Sequence, residues 1–447
     1  MEKDLTRGNV IRTMLLFAAP MILGNLLQQC YNIADSLIVG RFLGPGALAA
    51  VGSAYTLMTF LTSVLIGLCM GSGSLFSFYF GKNQEESFQK ANKSAFLFIC
   101  LITILLNGAA FWGIDLILKL LKVPRSVYGI MREYVWIIFA GIFFVFLYNY
   151  FAYLLRAVGN SLTPLYFLAV AAVLNIFLDL LFVAVFSWGI KGAAVATVLA
   201  QAISGVGIGL YTVLRHPKLR PVGGRFAISG NSLWEVVRFS VAACIQQSVM
   251  NFGILMIQGL VNSFGNAVMA AFAAAVKIDT LAYMPAQEFA NAYSLFISQN
   301  HGANKTERLK QGTKWAIGVS CLFCVIVSIF VYITSPRLMG AFLPKGELEI
   351  IAIGTGYLRI EGACYCGIGL LFLLYGYFRG MGRPEMSIVL TVISLGMRVL
   401  LAYVLAPVPK IGVYGIWWAI PIGWLLADVA GCIALKRSMK VWNICSD

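Results

Sequence analysis

Charged residues and histidine are scarce in this chain, and both shortages narrow the classes of protein it can belong to. Charged residues make up 11% of its 447 positions, roughly half the share found in soluble domains. The only two histidines, His216 and His301, are expected in loops or at helix ends, so no histidine-based metal cluster can be assembled. A glycine-rich loop with a lysine for nucleotide phosphates is also missing. A soluble protein, a metalloenzyme and an ATP-driven machine are therefore all disfavoured.

Apolar residues, by contrast, are abundant and lie in long runs. They account for 60% of the chain, and the mean hydropathy is +0.85. Runs of about 20 apolar residues can span a bilayer, and backbone groups in lipid must be satisfied within the segment, which favours helices. We expect an all-α membrane protein with twelve transmembrane helices. The predicted spans cover residues 11–39, 47–79, 94–118, 131–154, 162–186, 192–214, 236–261, 268–298, 315–335, 351–378, 386–406 and 413–435.

The net charge of +15 would be compatible with nucleic-acid binding, but its distribution indicates another role. If the N-terminus is cytoplasmic and basic residues at the very ends of spans are counted with the adjoining loops, 21 basic residues fall in the two termini and the even-numbered loops, against 9 in the odd-numbered loops. This bias follows the positive-inside rule. We therefore predict a multi-pass protein of the inner (plasma) membrane with both termini in the cytoplasm, and we expect no nucleic-acid partner. The ten cysteines are scattered and give no sign of a disulfide framework.

Two motifs recur at one spacing and indicate that the chain is duplicated. RAVG at 156–159 returns 223 residues later as RGMG at 379–382, and GIKG at 189–192 returns as GVYG at 412–415. Each half has six spans, so both halves cross the membrane in the same direction. Parallel repeats of helical bundles are typical of secondary transporters.

The duplication also predicts the domain organisation. Weaker matches at an offset of 221 pair Gly44 with Gly265 and Asn83 with Asn304. Between the halves lies a stretch rich in Pro, Gly and basic residues without apolar periodicity, which is typical of a linker. We predict an N-terminal six-helix lobe over 1–214, a cytoplasmic linker over 215–231 and a C-terminal six-helix lobe over 232–447.

Carboxylates inside a membrane are costly and mark functional sites by default. Asp35 lies in the first predicted span and Asp179 in the fifth, where Asn175 precedes it by one helical turn. Thr197 lies in the sixth span. Lipid would penalise these polar faces, so a shared interior is expected. A buried carboxyl can take up a proton, and carboxylate, amide and hydroxyl oxygens also suit a hard cation such as Na⁺. The alternative is that these groups only hydrogen-bond neighbouring helices.

Other polar and helix-bending positions extend this hypothesis. Pro20 and Gly24 lie within the first span, where proline removes an internal hydrogen bond and permits a kink, although proline is also common in membrane helices. Amides in three spans could line a water-filled cavity or hold helices together. These amides are Gln28, Asn32, Gln201, Gln246 and Asn251.

The remaining intramembrane charges give weaker indications. We expect Asp279 to pair with Lys277 and Glu361 to pair with Arg359 near helix ends, and no partner can be named for Arg398. At the offset of 223, the second half has Ala402, Arg398 and Ile420 where the first has Asp179, Asn175 and Thr197. The candidate cation site is therefore expected in the first lobe alone.

With these motifs in order, the chain resembles the multidrug and toxic compound extrusion (MATE) family. The resemblance covers residues 7–436 and rests on PMILGNLLQQCYNIAD at 20–35, LRAVGN at 155–160 and FRGMG at 378–382. The resemblance implies two lobes that alternate between inward-open and outward-open states, exporting organic, often cationic, compounds in exchange for H⁺ or Na⁺. It implies no cofactor beyond that coupling ion.

Within the family, the DinF-like branch has an ion site of the kind seen here. It places acids on helices one and five, an Asn one turn before the second acid and a Thr on helix six; Asp35, Asp179, Asn175 and Thr197 match that pattern. The NorM-like branch uses acids on helices seven and ten, which this chain lacks at matching positions. The expected function is multidrug efflux by a monomer that binds small organic substrates within the lipid bilayer. A lipid-linked oligosaccharide flippase is the alternative, and an enzyme is not expected.

Overall fold

Helices make up nearly all of the protein, as a chain in lipid requires. The computed structural model describes residues 4–120, 123, 125–221, 229–342 and 347–444, and none of these residues lies in a β-strand. The long helices are α1 (Val10–Gly44), α2 (Gly46–Gly81), α3 (Glu85–Trp112), α4 (Arg125–Ala157), α5 (Leu162–Asp179), α6 (Gly189–Arg215), α7 (Gly230–Asn262), α8 (Asn266–Gly302), α9 (Thr306–Phe342), α10 (Leu348–Ala363), α11 (Tyr365–Gly380), α12 (Pro384–Leu405) and α13 (Val413–Ile444). A short helix over Ile114–Leu120 follows α3.

The prediction of twelve membrane spans is confirmed within the part of the chain that the structure describes. Eleven helices are each long and apolar enough to cross a bilayer. Helices α10 and α11 are bent by 53° at a short break and together form the twelfth span. Hydropathy does not predict this break, because the run over 351–378 is predominantly apolar on both sides of Cys364.

The internal repeat is visible in the backbone. Eight of the ten described residues with positive φ form pairs that follow the sequence offsets, and Gly8 and Ser187 are the two without a counterpart. The pairs are Gly44 and Gly265, Asn83 and Asn304, Gly159 and Gly382, and Gly189 and Gly412. Gly159 and Gly382 come just after α4 and α11, where a residue with positive φ commonly ends a helix. The two halves therefore use the same turns at the same positions.

By contacts, the chain divides into two compact units. The first contains Ala19–Cys244, and the second contains Leu5–Ala18 together with the chain from Ile245 onwards. The predicted linker over 215–231 belongs to the first unit, although its residues 222–228 lie outside the described residues. The predicted lobe boundaries at 214 and 232 stay a prediction.

The first unit has an aromatic core with one buried polar link. Tyr150, 1% exposed, packs edge-on against Phe96 with ring centroids 5.1 Å apart. Its hydroxyl donates to the side-chain oxygen of Asn92 at 2.5 Å, and the Asn92 amide donates to the carbonyl of Leu219 at 2.9 Å. Because buried polar groups are costly unless bonded, this chain of bonds fixes α3 and α4 against the turn that follows α6.

The second unit has a smaller aromatic core. Trp417, 1% exposed, stacks on Phe272 with centroids 5.5 Å apart and meets Tyr357 edge-on at 4.9 Å. These rings come from α13, α8 and α10, so they join three helices that are distant in sequence. Edge-on and stacked aromatic pairs add roughly 1 kcal/mol each beyond the area they bury.

Candidate ion site

The candidate site begins on the last turn of α5. Asn175 and Asp179 are one helical turn apart and therefore share a face, with exposed fractions of 3% and 0%. The α-helix ends at Asp179 and continues as a π-helical turn over Leu180–Val185. Single π-helical turns are rare and occur often at functional sites. The fully buried carboxyl therefore lies at an irregular point of its helix.

Helix α6 supplies the hydroxyl group of the site. The side-chain amide of Asn175 donates to Oγ1 of Thr197 at 3.4 Å, and that hydroxyl donates to the carbonyl of Ala193 at 3.0 Å. The side-chain oxygen of Asn175 is buried and accepts no hydrogen bond from the described residues. The amide oxygen is thus oriented by its own NH₂ group and left available as a ligand.

Asp35 of α1 completes the group. Its carboxyl lies within hydrogen-bonding reach of the Asp179 carboxyl. One oxygen of Asp35 and both oxygens of Asp179 are buried, and none accepts a hydrogen bond from an N–H or hydroxyl group of the described chain. Two carboxylates this close repel each other strongly in a low-dielectric interior. The pair is stable only when a proton is shared or a cation binds between the two groups.

Tyrosine side chains, which the sequence reasoning did not select, border this pair. Tyr134 of α4 is 6% exposed and lies close enough to interact electrostatically with Asp35 and Asp179. Tyr31 of α1 lies beside Gln28 and interacts with Asp35. The internal repeat could have indicated Tyr134, because a tyrosine, Tyr357, recurs at the equivalent position 223 residues later.

The other residues predicted in the first half lie around this group or along α1. Pro20 is buried within α1, whose backbone angles stay helical there. Gly24 faces α5, and a methyl group at its position would lie 3.5 Å from Leu168. Gln28 is exposed and Asn32 is half-buried. A kink at Pro20 and Gly24 stays a prediction.

Gln201 lies one turn beyond Thr197 on α6. Its side-chain oxygen packs tightly against Gly141 of α4. That oxygen is buried and has no hydrogen-bond partner among the residues described. A role for Gln201 in lining a cavity stays a prediction.

The remaining predicted residues, Gln246 and Asn251, belong to the second unit. Gln246 is 3% exposed, whereas Asn251 is half-buried. Gln246 borders a small polar pocket inside this unit. The pocket is lined by Gln246, Gln247, Met250, Gln287, Ala290, Asn291, Phe372, Tyr375 and Arg379. Asn251 is not among its lining residues.

The expected local pairs in the second unit are wrong. Asp279 and Glu361 are 4% and 1% exposed, whereas Lys277 and Arg359 are exposed. Arg359 stacks over the ring of Tyr332 at 5.4 Å. Buried acids are therefore present in both units, contrary to the expectation for the first alone.

The four predicted site residues, Asp35, Asn175, Asp179 and Thr197, thus come together in the first unit. Their oxygens are hard ligands suited to Na⁺, and the carboxyl pair can equally hold a proton. No cluster of three or more His, Cys, Asp or Glu residues that could hold a metal ion occurs within the described ranges. The arrangement has ion-binding groups but no nucleophile with an adjacent base.

A duplicated bundle of membrane-spanning helices is typical of secondary transporters, and comparison with known proteins identifies the family. The MatE family model matches residues 20–181 and 241–404. These two copies start 221 residues apart and end 223 apart, the same offsets as the sequence motifs. The chain belongs to the MatE family and is a multi-pass membrane transporter of the multidrug efflux type, not an enzyme.

Relatives and solved structures agree with this assignment. The chain is 33% identical over 395 residues to the probable multidrug resistance protein YpnP of Bacillus subtilis, covering 88% of this chain and 87% of that one. It is 29% identical over 426 residues to YoeA of the same organism, covering 93% and 91%. A FAD transporter of Shewanella oneidensis is 21% identical over 94% of this chain and 93% of its own length.

Solved structures share the fold at lower identity. An outward-facing multidrug resistance MATE transporter has a TM-score of 0.92 at 23% identity, covering 98% of both chains. A transporter of the MOP superfamily from Pyrococcus furiosus has a TM-score of 0.92 at 22% identity, covering 98% of this chain and 97% of that one.

Proposed function

We propose that the protein is a secondary active antiporter that exports organic, often cationic, compounds in exchange for inward H⁺ or Na⁺. Asp35, Asn175, Asp179 and Thr197 bind the coupling ion. The transporter acts as a monomer in the plasma membrane by alternating access, with both termini in the cytoplasm.

One observation carries the proposal: the carboxyls of Asp35 and Asp179 lie within reach of each other, with buried oxygens that accept no hydrogen bond from the described residues and no basic side chain acting on either. Without an ion the pair would hold two negative charges in a low-dielectric interior, and ion binding removes the repulsion. The contact between α1 and α5 then depends on occupancy, because repelling carboxylates move apart and compensated ones approach. Ion binding is thereby linked to a movement of α1 against α5.

The energy available to such a site is sufficient for export. One charge that crosses the membrane yields about 2.3 kcal/mol per 100 mV, before any concentration gradient is added. A tenfold accumulation of cargo requires about 1.4 kcal/mol. For an uncharged cargo, a single coupling ion can therefore drive export against a gradient larger than tenfold. For a monovalent cationic cargo the one-for-one exchange moves no net charge, so the concentration gradient of the coupling ion supplies the energy.

Replacing Asp179 with asparagine tests the proposal in cells. Asp179→Asn keeps the shape but removes the charge, so we expect loss of drug exclusion, measured as accumulation of a fluorescent organic cation. Asp115→Asn is the matched control. Asp115 lies outside the membrane spans and pairs with Arg132 at 2.8 Å, and that contact holds its pKa below its usual value. It therefore stays ionised at physiological pH.

Comparing Asp179→Asn with the control Asp115→Asn shows whether the coupling site is assigned correctly. If membranes contain equal amounts of both, Asp115→Asn should exclude the dye as the wild type does. Normal dye exclusion by Asp179→Asn would refute the assignment of the coupling site.

The flippase alternative is not favoured. YpnP and YoeA are both named as probable multidrug resistance proteins.

A further inference from the structure

The second unit holds an acid pair of its own. Asp279 of α8 and Glu361 of α10 are 4% and 1% exposed, and their carboxyls lie within hydrogen-bonding reach of each other. One oxygen of each is buried without a hydrogen-bond donor among the described residues. Unpaired polar atoms at this depth are costly, so the pair resembles a ligand site more than a structural contact.

The groups around this pair differ from those in the first unit. The hydroxyls of Tyr357 and Tyr365 lie beside Glu361 and Asp279, respectively. Arg398 of α12 acts electrostatically on both carboxyls, and its guanidinium lies 5.9 Å from the ring centre of Trp424. The Nε atom of Arg398 is buried and makes no hydrogen bond to any described residue. Tyr283 of α8 also interacts electrostatically with the two acids and with the arginine.

Arg398 has a counterpart in the first unit. At the repeat offset of 223 it corresponds to Asn175, the amide of the candidate ion site. The first unit therefore has a neutral ligand where the second has a fixed positive charge. No basic side chain acts on Asp35 or Asp179 among the interactions described for them.

The positive charge of Arg398 changes the net charge of the second acid pair relative to the first. With both acids ionised, the first pair carries two negative charges, and a bound cation reduces that excess. The second pair with Arg398 carries a net charge of −1, which a single proton brings to zero. A metal cation would also balance the charge, but it would have to approach against the guanidinium. A proton meets the same guanidinium, but it needs no shell of several oxygen ligands and is held within the hydrogen bond between the two acids.

We propose that Arg398 is a built-in counter-ion that makes the Asp279–Glu361 pair of the second unit a proton site from which Na⁺ is excluded. This inference goes beyond the proposed function, because it concerns a second binding site and does not depend on which ion drives export. The two sites of the duplicated scaffold then differ in chemistry through one substitution, an arginine in place of an asparagine.

Binding of ²²Na⁺ to the purified full-length protein tests the exclusion. The Asp35→Asn/Asp179→Asn double variant removes the first site, so we expect no specific Na⁺ binding. Adding Arg398→Met should create binding, with affinity raised on the order of tenfold or more by loss of a nearby unit charge. A further Glu361→Gln should abolish it. Arg398→Lys, which keeps the charge, is the matched control and should bind no Na⁺.

Two results would overturn the exclusion. One is Na⁺ binding by the Asp35→Asn/Asp179→Asn variant that Glu361→Gln removes while Arg398 is present. The other is a folded Arg398→Met variant, monodisperse in gel filtration, that gains no binding.

A second measurement keeps the proposal testable if Arg398→Met fails to fold. Asp428 of α13 is a third buried acid of this unit, so it is changed to asparagine in every sample. Infrared difference spectra of the Asp35→Asn/Asp179→Asn variant in that background, between high and low pH, should contain a protonated-carboxyl band. Glu361→Gln should remove the band, because a single carboxylate opposite Arg398 stays ionised. Replacing K⁺ with Na⁺ should leave the band unchanged. A missing band, or a band abolished by Na⁺, would contradict the proposal.

Discussion

At the scale of single residues, the two units differ in how their buried carboxyls are compensated. Asp179 meets Asp35 beside the neutral ligands Asn175 and Thr197, whereas the second pair has Arg398 at the position equivalent to Asn175. Carboxylate burial is expensive enough that the compensating group decides which ion can bind. In the proposed assignment, binding chemistry is therefore set by one or two positions on the repeated scaffold.

Thr197 gives a prediction about ion affinity. Thr197→Val keeps the shape and removes the hydroxyl that accepts from Asn175, so the amide oxygen loses its orientation. Loss of one such bond costs about 1 kcal/mol, so the half-saturating ion concentration should rise about fivefold. Thr212→Val is the control, because the Thr212 hydroxyl bonds only to the Ile208 carbonyl of its own helix, at 2.7 Å. Equal shifts in both variants would rule out a ligand role for Thr197.

The sequence predicts which polar residues of the first unit are buried, but it does not predict which groups the acids of the second unit lie beside. Asp179 and Asn175 could be selected because helical spacing places them on one face of an apolar span. Asp279 was assigned to Lys277 and Glu361 to Arg359, but residues two apart on a helix point in different directions. The true partners come from other helices, and sequence spacing does not record such contacts. Tyr134 was missed because a single tyrosine in an apolar run is unremarkable without its repeat.

At the scale of helices, close approach of backbones holds the bundle together. Association in lipid relies on packing of small residues rather than on hydrophobic burial. Hydropathy predicted the twelve spans well, since length and composition alone define them. It could not predict the break between α10 and α11, because both parts are apolar and no proline marks the bend.

A glycine pair on α2 tests this packing. A methyl group at Gly71 would overlap the carbonyl group of Phe239 on α7, whereas the position of Gly52 has open space around it. Gly71→Ala should lower the thermal unfolding midpoint in detergent by several degrees, since overpacking typically costs about 1–3 kcal/mol. Gly52→Ala should leave the midpoint unchanged or raise it, because alanine favours helix. An unaffected Gly71→Ala midpoint would mean that the helices can separate there without loss.

At the scale of the whole molecule, the chain is one six-span unit used twice. The paired left-handed residues and the two copies of the family model follow the same offsets, so the repeat predicted from RAVG and GIKG was a reliable guide to architecture. It was a poor guide to chemistry, because ligands had diverged between halves. Duplication preserves turns and spans, which folding requires, and leaves buried polar positions free to change.

Orientation in the membrane is a prediction at this scale. The bias of basic residues predicts cytoplasmic termini, so green fluorescent protein fused to the C-terminus should fluoresce. Alkaline phosphatase fused at the same place should be inactive. Phosphatase fused after Val123, between the third and fourth spans, should be active. The opposite pattern would invert the topology and place the predicted linker outside the cell.

The central claim is that a proton or Na⁺ at the Asp35–Asp179 pair drives export, and transport in proteoliposomes tests it most directly. Vesicles with the purified protein are loaded with a fluorescent organic cation, and a pH gradient or a Na⁺ gradient is imposed separately. We predict that one of these gradients accelerates exchange of the wild-type protein and that Asp179→Asn abolishes the acceleration. Cargo movement that ignores both gradients, or gradient-driven exchange retained by Asp179→Asn, would contradict the account.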